Sequence, residues 1–285
     1  MDGFGLIKDK TMSRFPTYFI SHGGGPWPWL PGWRARFRNL EKSLISIARE
    51  QEQTPRAVLV ISGHWEEAGF NVLASDHPSM LYDYFGFPDE TYKLIYPAPG
   101  SSEFAHKTTQ LLHAAGCPSQ LDDQRGFDHG AFVPLFVMYP KANVPVYQMS
   151  LQRGYNPQAH ISAGRAIAPL RDDGILIIGS GLSYHNLSLF GPGAREPSEV
   201  FDHWLRKALF EESKARIKSV IAWEKAPFAR LCHPQEDHLA PLLLLWVQQK
   251  MNQCAVSIRM NIFLAALLRQ AIVLVRGTQR RSRDL

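Results

Sequence analysis

Apolar positions in this chain gather in short unbroken runs, and three of those runs stop at a histidine. Residues 17–21 (Thr-Tyr-Phe-Ile-Ser), 57–62 (Ala-Val-Leu-Val-Ile-Ser) and 174–180 (Gly-Ile-Leu-Ile-Ile-Gly-Ser) read as strands, as does 145–151. Continuous apolar runs of this length, rich in β-branched residues, are the pattern of strands buried on both faces of a parallel sheet. Between them the period changes. Residues 35–51 place Phe37, Leu40, Leu44, Ile45 and Ile47 on one helical face, and 102–115, 159–171, 197–218 and 239–249 also read as helices, with an apolar helical turn at 132–139. Strands alternating with helices predict an α/β fold: a single doubly wound domain with a mostly parallel central sheet flanked by helices. No Pro/Ser-rich linker divides it, and 76–100 is an aromatic-rich loop.

The strand ends attract attention. The first run stops at His22 before Gly23, Gly24 and Gly25, the second at Gly63-His64-Trp65-Glu66, and the third at Gly181-Leu-Ser-Tyr-His185-Asn186. In a parallel sheet the carboxyl ends converge on one edge, where ligands of open α/β folds sit. His129 lies in a Gly-flanked polar turn and His238 begins a helix, so both are available to the same edge. His77, His106, His113, His160 and His203 fall in loops or on amphipathic helices and read as surface or capping residues. Several neutral imidazoles at one point suit a divalent metal. The spacing is long-range, so residues alone leave a metal site and scattered structural histidines as equal alternatives. Trp27, Trp29 and Trp33 alternate with Pro26, Pro28 and Pro31 in a rigid loop after the glycines, a pocket wall or a piece of core.

Composition narrows the class. With 285 residues, 45% hydrophobic and 20% charged, the chain has the make-up of a globular protein able to bury a large core. The net charge of +5 owes much to Arg276, Arg280, Arg281 and Arg283 near the end, and no motif for binding nucleic acid is present. Cys117, Cys232 and Cys254 are too few and too far apart for a disulfide framework, so a reducing, cytoplasmic setting is expected. The start of the chain lacks the apolar core of a signal peptide. Residues 262–275 are interrupted by Arg269 and Gln270 and are too short for a membrane span. A soluble protein with no membrane partner is expected. No P-loop, HExxH or GxSxG elbow occurs, and Pro26 blocks a dinucleotide fingerprint after the first strand.

Seven stretches in order, Phe19-Ile-Ser-His-Gly-Gly-Gly25, Ile61-Ser-Gly-His-Trp-Glu66, Tyr82-Asp-Tyr-Phe-Gly-Phe-Pro88, Tyr96-Pro-Ala-Pro-Gly100, Gly126-Phe-Asp-His-Gly130, Gly179-Ser-Gly-Leu-Ser-Tyr-His-Asn186 and His233-Pro-Gln-Glu-Asp-His-Leu-Ala-Pro-Leu242, cover roughly 15–245. The chain resembles the class III extradiol ring-cleaving dioxygenases, in particular the DOPA-4,5-dioxygenase-like branch. The resemblance implies a metal site at the strand carboxyl ends, with His22, His64 and His238 as ligands and His185 as a further ligand or an acid/base. His129 is then a second catalytic candidate. It implies one Fe(II) or Zn(II) per chain, a catechol-type substrate with O2, and a pocket to which Trp27, Trp65 and Tyr82 contribute, with Tyr84 and Phe85 nearby. An all-histidine set also suits a zinc hydrolase that activates water, and a non-enzymatic binding protein is a third reading. A monomer or small homo-oligomer is expected. The organisation expected is an N-terminal extension at 1–14, a catalytic domain at 15–250 and an atypical C-terminal segment at 251–285. That last segment reads as apolar-helical and then arginine-rich, where the family closes with a strand.

Overall fold

The computed structural model describes residues 14–211, 213–246, 254–260 and 271–277. In chain order its strands are β1 (Thr17–Ser21), β2 (Ala57–Glu67), β3 (Val72–Leu73), β4 (Leu121–Asp122), β5 (Val146–Gln152), β6 (Ile175–Gly181), β7 (Cys254–Met260) and β8 (Ala271–Gly277). Its helices are α1 (Pro31–Arg36), α2 (Arg38–Arg49), α3 (Ser102–Ala114), α4 (His129–Met138), α5 (Pro157–Ile167), α6 (Arg195–Phe210), α7 (Ser213–Ile221), α8 (Ala229–Cys232) and α9 (Ala240–Trp246). One sheet of eight strands runs in the order β4-β3-β5-β2-β6-β1-β8-β7. Its centre, β5-β2-β6-β1, is parallel as the apolar runs predict.

Period-two alternation explains why both faces are covered. Phe19, Leu59, Ile61 and Ile177 point into one apolar cluster with Ala163 and Ile167 of α5 and Leu242 to Leu245 of α9. Tyr18, Ile20, Val58, Val60, Leu176 and Ile178 point into the other, with Leu40, Leu44 and Ile47 of α2 and Phe132 and Leu135 of α4. The strands β1, β2 and β6 are thus apolar on both sides along most of their length, with their carboxyl ends meeting polar chemistry. Register brings those ends level: Ser21 is opposite Gly181, and Ser62 is opposite Ser180. The β2 strand continues past the predicted stop at 62, with its register against β5 shifting between Ile61 and Glu66, so His64 lies within the strand rather than after it.

Three other boundaries move. The α4 helix starts at His129 instead of Phe132, because the Asp128 carboxylate caps it by accepting from the Ala131 N–H at 3.1 Å. The single helix expected over 197–218 is two, α6 and α7. Glu211 takes an extended backbone at the break, which lets Val220 join the same core as Phe201 and Leu205. The helical reading of the C-terminal segment is corrected: within the described residues it is β7 and β8, an antiparallel pair whose β8 also pairs antiparallel with β1 at Phe19↔Val273. The physical reason is the open edge of β1, which offers backbone groups to the largely β-branched run Ile272-Val273-Leu274-Val275.

Close backbone contact joins α5 to α9, where a Cβ built on Gly164 falls 2.0 Å from the Leu244 carbonyl oxygen. The contact is backbone, so relief requires the two helices to part. Gly164→Ala is expected to destabilise the protein by about 1–3 kcal/mol, read as a lower urea midpoint; an unchanged midpoint would contradict this packing.

Candidate metal centre

His22 leaves β1 one residue after its end, and Gly23 lets the chain turn sharply there. Its φ is +83°, and a Cβ would meet Trp27 Nε1 at 2.4 Å. The Trp27 indole N–H donates to the His22 carbonyl at 2.9 Å and fixes the turn. His64 comes from β2. His238 arrives from 174 residues further on, in the segment that leads into α9. That segment lies against the sheet edge because two glycines make room: Cβ atoms on Gly181 and Gly63 would fall 2.1 Å from His238 O and 3.0 Å from Asp237 O. Leu182 N–H donates to the His238 carbonyl at 3.0 Å and locks the segment to the end of β6.

These three elements bring three ring nitrogens together. His64 Nε2 is 3.1 Å from His22 Nε2 and 3.2 Å from His238 Nε2, and His22 and His238 are almost wholly buried. The partners of the opposite nitrogens decide the tautomers. Ser180 Oγ donates its proton to the Gly130 carbonyl at 2.5 Å, so it accepts from His22 Nδ1 at 3.0 Å. His64 Nδ1 faces Asp83 Oδ2 at 3.4 Å. His238 Nδ1 lies 2.8 Å from Asp237 Oδ2, a close contact outside hydrogen-bond alignment. Ser180 places the His22 proton on Nδ1, and the carboxylates facing His64 Nδ1 and His238 Nδ1, which only accept, favour the same form, with Nε2 left to offer a lone pair. Three Nε2 atoms aimed at one space suit a cation. The donor set fits a divalent metal.

Two more imidazoles border this group. The His129 ring is 4.0 Å from that of His64, and its Nδ1 donates to Asp83 Oδ1 at 2.8 Å. His185 stacks on His238 at 3.4 Å and 22°, with its Nδ1 3.7 Å from Asp237 Oδ1. His22, His64 and His238 form one potential metal-holding trio, His64, Asp83 and His129 a second, and His185, Asp237 and His238 a third. His185 is thus grouped with His238 rather than with the converging trio. All five histidines singled out in the sequence meet here, while His160 is buried far off against Phe70 and Asn156.

A family profile described as the catalytic LigB subunit of aromatic ring-opening dioxygenase matches residues 17–255. The chain belongs to the LigB family. Curated relatives named 4,5-DOPA dioxygenase extradiol include one from Beta vulgaris, 39% identical over 232 residues that cover 79% of this chain and 84% of the relative. Another, from Escherichia coli (strain K12), is 33% identical, covering 84% of this chain and 87% of its own. The crystal structure of an uncharacterized protein from Escherichia coli K12 superposes with a TM-score of 0.73 at 26% identity, covering 92% of this chain and all of the other. The chain is an extradiol-type aromatic ring-opening dioxygenase, and nothing in these relatives supports a hydrolase.

Within this LigB-family centre the expected pocket residues divide. Trp27 and Trp65 are 0% and 1% exposed. Trp27 braces His22, while Trp65 donates to Glu67 and lies under the Arg125 guanidinium at 4.5 Å. They have no surface to offer a ligand, which corrects the expectation for both: they support the site from within the core. Tyr82 is half-buried with its hydroxyl on the Leu94 carbonyl, Tyr84 is buried with its hydroxyl on the Thr91 carbonyl, and Phe85 is exposed. Sequence reasoning missed Asp83, Asp237 and Ser180 as site residues. Asp83 and Asp237 stood inside quoted motifs, and Ser180 ended a predicted strand, but nothing local marks a side chain as the partner of a distant Nδ1.

Burial, reinforced by the neighbouring imidazoles, holds His22 and His64 well below the ordinary histidine value, and burial is the main cause that brings His238 down to about 4. His233, buried with its Nε2 on the Ser183 carbonyl, is brought to about 3 by the same cause. In the unfolded chain these groups take up protons near 6.5, whereas the folded chain stays neutral. Between those limits the unfolded state binds more protons, so stability rises with pH. Metal-free protein is expected to lose stability as pH falls from about 6.5 towards 4, seen as a urea midpoint lower at pH 5 than at pH 7.5. A midpoint flat across that interval would contradict neutral, buried rings.

Proposed function

We propose that the chain opens the ring of a small catechol of the DOPA type by extradiol cleavage with O2, on one Fe(II) held by His22, His64 and His238. The observation behind this ligand set is the convergence of three bare Nε2 atoms, two pairs of them within 3.2 Å. The names of the relatives support the substrate class. What bound Fe(II) supplies is redox chemistry that lets an aromatic ring and O2 react, which Zn(II), with no redox state to offer, does not.

The chain's own groups do the rest. His129 and His185 lie beside the trio without belonging to it, and each has its Nδ1 turned to a carboxylate. Their Nε2 atoms are therefore the ones able to accept the hydroxyl protons of a catechol and to return one during ring opening. Such a positioned base contributes on the order of 10²–10⁴-fold. The aromatic loop is pinned against the segment that leads to α4, with Leu81 N–H on the Phe127 carbonyl at 2.8 Å and Phe127 N–H on the Ser79 carbonyl at 2.8 Å. It presents Tyr82 and Phe85 as apolar surface for an aromatic ring.

After anaerobic loading with Fe(II), the protein is expected to consume O2 and form a yellow ring-opened product from one or more members of a small catechol panel that includes DOPA. Zinc-loaded protein should consume none. His22→Ala and His64→Ala should each lose bound metal and ring opening together. Wild-type yields of yellow product from either variant would sink the ligand assignment.

A further inference from the structure

Asp83 and Asp237 come from distant parts of the chain, yet each meets two imidazoles, one from the converging trio and one outside it. Their biases are opposite. Asp83 Oδ1 accepts from the backbone N–H of His129 at 2.9 Å and from its Nδ1 at 2.8 Å, while Asp83 Oδ2 stands off from His64 Nδ1 at 3.4 Å. Asp237 Oδ2 lies 2.8 Å from Nδ1 of His238, while its Oδ1 stands off from His185 Nδ1 at 3.7 Å.

We propose that Asp83 and Asp237 are positioning residues with divided duties: Asp83 orients the free imidazole of His129, and Asp237 orients the metal-holding imidazole of His238. This rests on the ligand set proposed above. A carboxylate accepts and never donates, so a ring held against it keeps its proton on Nδ1 and bares Nε2. An amide in its place presents an NH2 group as well as an oxygen, and the hold on the tautomer is lost. The two residues at the longer distances are anchored through their backbones. The His64 carbonyl accepts from Arg125 at 3.1 Å and its backbone N–H donates to Ser62 Oγ at 3.1 Å. The backbone N–H of His185 donates to the Cys232 carbonyl at 2.9 Å, next to the bond from Asn186 Nδ2 to the Leu231 carbonyl at 2.8 Å, and its ring stacks on that of His238 at 3.4 Å. Those residues keep their place when one carboxylate is changed, and the two substitutions separate.

The arrangement also explains why the aromatic loop carries a charged residue amid Tyr82, Tyr84, Phe85 and Phe87. Through Asp83 the loop is tied to the helix start at His129, so whatever rests on the loop is registered against that imidazole. Asp237, adjacent to His238, ties the arriving segment instead to the trio.

The test uses full-length protein labelled with 15N in histidine, together with Zn(II) affinity from chelator competition, since Zn(II) is redox-silent. In the metal-free wild type, long-range 15N–1H spectra should show His129 and His238 protonated on Nδ1. Asp83→Asn should move His129 towards the Nε2-protonated form while Zn(II) affinity stays within about threefold of wild type; the iron-loaded variant should lose about 10–100-fold in kcat with KM changed less than about threefold. Asp237→Asn should instead weaken Zn(II) binding about 10–100-fold. An Asp83→Asn protein that keeps His129 protonated on Nδ1, or that loses Zn(II) affinity as severely as Asp237→Asn, would overturn the division. Asp83→Ala, which has no acceptor to offer, gives the same reading if the amide variant does not fold. The spectra and the Zn(II) titration need no substrate, so they stand apart from the ring-opening reading, whose own failure would show as wild-type protein that takes up no O2 with any catechol.

Discussion

The site depends on three imidazole Nε2 atoms that converge at the strand ends, with His64 Nε2 at 3.1 Å from His22 Nε2 and 3.2 Å from His238 Nε2. Gathering them costs free energy, because the rings have left water. Ser180 holds His22 from behind, Asp237 Oδ2 lies 2.8 Å behind His238 Nδ1, and Asp83 Oδ2 stands further off, 3.4 Å from His64 Nδ1. Burial then keeps the rings neutral well below the ordinary histidine range. Neutral rings offer lone pairs without proton competition at physiological pH, which readies the cluster for a cation.

Holding that cluster requires a scaffold that does not yield. The three proposed ligands come from the end of β1, from β2 and from the segment before α9, and the sheet aligns the first two by parallel pairing of both strands to β6. Two apolar layers, one on each face, fix the strand positions with large buried side chains such as Phe19, Trp27 and Phe132. The segment that carries His238 needs backbone-to-backbone approach: a Cβ on Gly181 would clash with His238 O at 2.1 Å, and one on Gly63 would crowd Asp237 O at 3.0 Å. Packing density and site geometry are therefore one constraint, since a shift of a few tenths of an ångström at these glycines moves His238 by as much.

What could be read from the sequence follows the range of the interactions. The central strands, and the histidines at their ends, were legible because apolar runs and a following His are local patterns. That His22, His64, His129, His185 and His238 share one edge followed from the carboxyl-end rule, but the particular role of His238 came from resemblance alone. Trp27 and Trp65 read as pocket wall in the sequence because a tryptophan close to a strand-end histidine has the same sequence whether it faces a ligand or braces a backbone. The strands at 254–260 and 271–277 were hidden because an apolar stretch holds no information about which open sheet edge it will meet. Asp83, Asp237 and Ser180 were invisible as partners because tautomer control is set by tertiary contacts between residues up to 158 apart.

Charge explains why the two carboxylates belong in a site otherwise made of neutral rings. Burial alone would disfavour their ionised forms, yet both Asp83 and Asp237 are held below the usual carboxylate range by the histidines that face them. The metal-free site thus contains two negative charges set against imidazole and backbone N–H groups. A divalent cation brings the group to neutrality, and in a low-dielectric setting that balance is worth more than any single contact. In the proposed reaction, a catechol that gave up its hydroxyl protons to bulk water would return the site to net negative charge. Retaining those protons on His129 and His185 would keep the whole assembly neutral while freeing the ring's oxygens. On that reading the two carboxylates also favour proton transfer to these imidazoles on electrostatic grounds.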